Sequence, residues 1–138
     1  MKYSLSEILK TASELETKQE RIEYLRRNDS PALRALLKYT YDEKVKFLLP
    51  EGEPPYKPNT LPDQEGILYS ELRRLYLFIE GGNPNLKPSR REYLFVQLLE
   101  TVDQNDAKLL LGVKDKKIPY KNITKKFVQE IYPGLLEN

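Results

Sequence analysis

The stretch SLSEILKTASELETKQERIEYLRRNDSPALRALL, residues 4–37, holds three helix starts in succession. Ser4 with Glu7 and Thr17 with Glu20 both read S/T-x-x-E. At that spacing the hydroxyl accepts from an orphan N–H of the first turn, while the glutamate reaches back to the cap residue's own N–H. Ser30 followed by Pro31 is a third start, because proline at the first helical position lacks an N–H that would go unpaired anyway. Behind each start the apolar residues recur at helical spacing: Leu5, Ile8, Leu9 and Ala12; Ile22 and Leu25; Leu33, Leu36 and Leu37.

The same grammar runs through the rest of the chain. Ser89 with Glu92 repeats the capping spacing, and Asn105 and Thr124 are cap candidates for two later helices. Leu68, Leu72, Leu75, Tyr76 and Ile79 predict a long fourth helix, closed by Gly81-Gly82 in a left-handed cap. Leu94, Phe95, Leu98, Leu99 and Val102 form a fifth stripe, and Ala107, Leu110 and Leu111 a sixth. Phe127, Val128 and Ile131 form the last, stopped by Pro133. Val45–Leu49 is the nearest strand candidate, too short and isolated to found a sheet. The expected fold is all-α: a compact bundle of six to seven short helices in one domain over residues 1–138, with Leu75, Leu98 and Leu110 buried.

Residues 50–62 break the pattern, with five of the chain's ten prolines. Such a segment cannot be helical and favours extended backbone. Two readings stay open: a loop packed across the bundle and held by Tyr56 and Leu61, or a peptide-like ligand for another domain.

Composition narrows the chemistry. At 138 residues the chain is sized for one domain, which hides roughly two-thirds of its unfolded surface without help from metal or disulfide. It contains no cysteine and no histidine, so thiolate chemistry, disulfides, the usual zinc sites and imidazole acid–base work are out of reach. No apolar run approaches the ~20 residues of a membrane span, and MKYSLSEILK lacks a signal peptide's apolar core. The expectation is a cytoplasmic protein with no cofactor and no membrane. Glycine loops, G-x-S-x-G and H-E-x-x-H are absent. The carboxylate pairs Asp42-Glu43, Glu51/Glu53 and Asp63/Glu65 read as solvated acids, and Tyr24, Tyr39, Tyr69, Tyr76 and Tyr93 as half-buried core rings. The chain is therefore expected not to be an enzyme.

Net charge is +2, but it is unevenly spread. Residues 1–66 carry 11 basic and 12 acidic side chains, and residues 67–138 carry 12 and 9. Between 108 and 126 lie seven lysines against Asp115 alone. Such a run is either a plain solvated surface or a phosphate-binding face.

The order of parts resembles the amino-terminal helical domain of ATP-dependent DNA ligases, especially the T-even phage type. Thr17-Lys18-Gln19 opens a helix, a leucine helix follows, and Tyr39-Thr40-Tyr41 precedes a lysine-and-aromatic segment ending at Phe47. Near the end stand Lys117-Ile118, a turn, Thr124, a helix, and Tyr132-Pro133-Gly134-Leu135-Leu136; a similar aromatic-Pro-Gly-Leu closes the domain in the ligases. FLLPEGEPPYKP, RRLYLFIEGGNP and GVKDKKIPYK also resemble small stand-alone proteins of T-even-like phages. The resemblance implies a grip on duplex DNA across the minor groove, largely through phosphates. It departs from the family in two places. The ligase nucleophile motif K-x-D-G is absent, so strand joining is not expected, and the ligases' glycine-containing turn is replaced by the stiffer Pro119-Tyr120.

The first functional expectation is thus a non-catalytic DNA-binding module. Its candidate contacts are Lys114, Lys116, Lys117, Lys121, Lys125 and Lys126, with Thr124 capping a helix start beside them, and Arg90 and Arg91 as a second contact. The alternative is a protein–protein adaptor of a phage replication or host complex, since a scaffold can keep its fold and exchange its partner. A pI of 8.6 lies below the guide of about 9 for nucleic-acid binders and decides little.

Overall fold

The computed structural model describes residues 3–136. Its helices are α1 (Leu5–Glu14), α2 (Lys18–Arg27), α3 (Pro31–Tyr41), α4 (Ile67–Glu71), α5 (Pro88–Thr101), α6 (Gln104–Lys114) and α7 (Lys125–Ile131), with a 3-10 helix over Leu72–Phe78. The fold is all-helical. The first three starts are built as their residues require: Ser4 Oγ accepts from Glu7 N at 3.1 Å, Thr17 Oγ1 from Glu20 N at 3.2 Å, and Ser30 Oγ from Leu33 N at 3.0 Å. In the first two, the glutamate also accepts from the cap residue's own N–H.

α6 is the hub, packed on α1, α3 and α5. One contiguous apolar core runs through Leu5, Leu9, Leu36, Leu37, Leu99, Leu109 and Leu110, and takes in Leu75 and Leu98 as expected. Each buried leucine of this kind contributes on the order of 1.5–3 kcal/mol.

The long fourth helix does not form. The apolar residues buried there are Leu68, Leu72, Leu75 and Phe78, and the last three recur every third residue, the period of a 3-10 helix. Phe78 turns inward edge-on to Phe95, with ring centroids 5.3 Å apart, while Tyr76 is pushed out to solvent. Ile79 then leaves the helix extended and bridges Phe47, with Leu48 N donating to Phe78 O and Glu80 N to Lys46 O. This single antiparallel bridge is what the strand candidate Val45–Leu49 becomes. Gly81 is left-handed as expected (φ +83°), but it sits in a turn beyond the helix end.

Two expected caps shift by a residue or two. Asp103, not Asn105, caps α6, its Oδ2 accepting from Asn105 N at 2.9 Å. Ser89 lies inside α5, because Pro88 takes the first helical position with its φ already set, leaving Lys87 as an uncapped start.

The proline-rich segment is an irregular loop tied to the far end of α5. Lys57 N donates to Glu100 Oε2 at 2.7 Å, and Asn59 Nδ2 to Thr101 O at 2.9 Å. Tyr56 packs against the core, whereas Leu61 is two-thirds exposed and holds nothing.

Candidate nucleic-acid interface

The lysine-rich run leaves α6 through a tight helix stop. Lys116 N donates to Val113 O and Lys117 N to Gly112 O, both at 2.9 Å, which places Lys116 in the left-handed region at φ +66°. The chain then folds back flush on the helix. A Cβ on Gly112 would stand 2.6 Å from Lys117 O and 2.8 Å from Pro119 Cδ, so only glycine admits this return.

The following loop is pinned at several points. Ile118 and Ile123 are buried. The Tyr41 hydroxyl accepts from Ile118 N at 3.2 Å and donates to Ile123 O in a short bond. Burial raises its pKa, which keeps it a neutral donor. Asn122, also left-handed at φ +67°, donates from Nδ2 to Ser13 O at 3.0 Å. Lys117, Lys121 and Lys126 therefore project from a rigid frame, and all three are exposed.

The nine residues expected to contact DNA divide into two sets, and three of them are consumed by the fold. Lys114 is buried, its Nζ donating to Pro50 O at 3.1 Å and to Asp115 Oδ1 at 2.8 Å. Lys116 spends all three ammonium protons on the carbonyls of Tyr39, Asp42 and Val45, at 2.8–2.9 Å, where α3 ends. Desolvation lowers its pKa, partly offset by the charge of Asp42. Arg91 is buried and donates to Leu77 O and Leu86 O, closing the turn before α5. These three are structural cations. Lys125 is half-spoken for by Glu43 at 2.6 Å. Thr124 Oγ1 caps α7 by accepting from Phe127 N. Arg90 is exposed but lies over the Tyr93 ring at 5.2 Å, and it lines none of the grooves that hold Lys117, Lys121 or Lys126.

The remaining lysines gain neighbours that sequence spacing did not show. One groove of about 390 Å³ is lined by Lys117, Pro119, Tyr120 and Lys121. A second, of about 420 Å³, shares Pro119 and Tyr120 and adds Lys10 from α1 and Lys108 from α6. A third begins at Asn122 and holds Lys126 and Lys18. Together they make a belt of cations across α1, α6, the loop and α7. The acids along it are engaged: the Glu7 carboxylate accepts from Ser4 N in the capping box of α1, Asp115 pairs with Lys114, and Glu130 pairs with Lys18. Lys10, Lys108, Lys117, Lys121 and Lys126 have no ion pair among the described residues. Tyr120, half-buried between the two larger grooves, offers a flat wall.

Among the described residues no group of three His, Cys, Asp or Glu side chains is placed to hold a metal ion, and no helix is long and apolar enough to cross a membrane. No curated protein matches the sequence. Residues 8–120, which run from α1 to Tyr120 on the lysine belt, match the model of DUF6433, a family of unknown function, and the chain belongs to that family.

Proposed function

We propose that the protein is a non-catalytic module that grips duplex DNA by its phosphates, with the lysine belt as the gripping face. One observation carries this reading: five exposed lysines along the belt lack ion pairs, while the three carboxylates that line the same grooves are tied to a cap or a cation. Unpaired cations on helices and a pinned loop attract a polyanion, and the backbone that carries them gives up little conformational freedom on binding it. The resemblance of the chain's parts to a ligase amino-terminal domain supports the same reading and suggests a place in phage DNA metabolism, in the host cytoplasm. Phosphate contacts position a protein without reading bases, so little sequence preference is expected.

The test is titration of a duplex at several salt concentrations. With about four phosphates neutralised, log affinity falls against log salt with a slope of roughly −3 to −4. No binding at low salt, or affinity indifferent to salt, refutes the reading. The adaptor reading is favoured by a different feature, an acid-rimmed apolar groove that shares no lining residue with the belt.

A further inference from the structure

Between the proline-rich loop and α5 lies a groove of about 420 Å³, within the size range of ligand sites. One wall is the α5 face of Tyr93, Phe95 and Val96, and the other is the bent, irregular chain from Leu49 to Pro55. Tyr93 is half exposed, a large ring left on the rim.

Three features of the groove say what fits it. Its rim carries Glu51, Glu53 and Glu92, while its one lining cation, Lys114, has its ammonium turned onto Pro50 O and Asp115. Arg90, over the Tyr93 ring at 5.2 Å, offsets one of the three glutamates, and the mouth stays net negative. The loop wall makes no backbone hydrogen bond from Glu51 to Pro55 among the described residues, and Gly52 turns it at φ +86°. Pro50 O is already taken by Lys114 Nζ, whereas the N–H groups of Glu51, Gly52 and Glu53 meet no backbone acceptor among the described residues. Tyr93 already accepts a cation over its ring, from Arg90.

We infer that this groove is a docking site for an extended segment of a partner protein that alternates apolar with lysine or arginine side chains. The apolar side chains enter between Val96 and the loop, and the basic ones meet the three glutamates. The lysine belt takes a polyanion and this groove takes a polycation, so the two sites select partners of opposite charge.

The probe is an acetylated, amidated peptide alternating leucine with lysine, titrated into the full-length 15N-labelled protein. Amide shifts are expected in residues 49–55 and 92–96 and not in the belt. The same peptide with glutamate in place of lysine does not bind. Glu51→Gln, Glu53→Gln and Glu92→Gln together weaken the lysine peptide roughly tenfold, as loss of about three exposed charge contacts implies. These exposed substitutions leave the core untouched. Reversing Lys117, Lys121 and Lys126 to glutamate leaves peptide affinity unchanged, so this inference and the DNA reading fail separately. The inference is overturned if the acidic peptide binds equally well, if the triple variant binds like wild type, or if the shifts map elsewhere. Self-association that Val96→Glu abolishes also overturns it, because the groove's occupant is then a second copy of the chain.

Discussion

The Asp106→Asn protein is expected to be more stable than the wild type at pH 7.5, by up to about 3 kcal/mol. Asp106 lies in the first turn of α6 with no exposed surface. Its Oδ1 accepts from Ser6 N at 3.0 Å, but its Oδ2 has no partner. Burial raises its pKa most; hydrogen bonds from Ser6 offset part of that, and the charges of Asp103 and Glu7 add to it, leaving the carboxyl at about 6. The start of α6 favours an anion by only ~0.3–1 kcal/mol, so desolvation wins.

The sign follows from where the proton sits. The unfolded acid titrates near 3.8 and the folded one near 6, so the folded state holds a proton that the unfolded state has lost. Stability is then full below pH 3.8, declines as pH rises to and through about 6, and stays lower above it. Asparagine keeps the acceptor for Ser6 N and carries no charge, which removes this part of the pH dependence. Denaturant melts of both proteins from pH 4 to 8 check it. Curves that run parallel, or a variant less stable at every pH, would show that the buried carboxylate is well solvated by its neighbours.

Replacing Lys116 with methionine is expected to cost about 2–4 kcal/mol and to leave DNA affinity within about twofold. Its ammonium joins the end of α3 to the end of α6 by donating to three carbonyls, of which Asp42 O also accepts from Val45 N at 3.1 Å. A cation at the end of α3 also meets the negative end of that helix. Methionine fills the same path over Phe47, whose ring centroid lies 5.9 Å from Nζ, but offers those carbonyls no donor of its own. Lys117→Met, one residue on and exposed, should change stability by less than about 0.5 kcal/mol while weakening DNA binding. Equilibrium unfolding and duplex titration on this pair separate the two roles. Equal stability of the two variants would mean that water replaces the Lys116 ammonium at no cost.

Much of the fold could be read from local signals. Ser4 with Glu7, Thr17 with Glu20, Ser30 with Pro31 and Thr124 each make their cap within a few residues, so spacing alone reveals them. From Leu68 to Ile79 the apolar residues fit both a 3.6 and a 3.0 period, and the packing of Phe78 on Phe95 accompanies the second. In the candidate site, Arg91 and Lys114 carried a usable sign. Arg91 continues the stripe of Phe95 and Leu98, and Lys114 that of Ala107 and Leu110, which marks both as inward-facing. Lys116 had no such sign, because the carbonyls it serves lie 71–77 residues earlier in the chain. Lys10 and Lys108 join the belt only because α1 packs on α6 and Tyr120 lines the same groove.

Duplex affinity at low salt, for wild type and for the protein carrying Lys108→Glu, Lys117→Glu, Lys121→Glu and Lys126→Glu, tests the DNA assignment most directly. All four side chains are exposed and unpaired, so the variant keeps its fold, which far-UV circular dichroism verifies. The belt assignment predicts salt-dependent binding by the wild type and a loss on the order of a hundredfold or more in the variant. A folded variant that binds duplex as tightly as the wild type, or a wild type that does not bind at all, would contradict it.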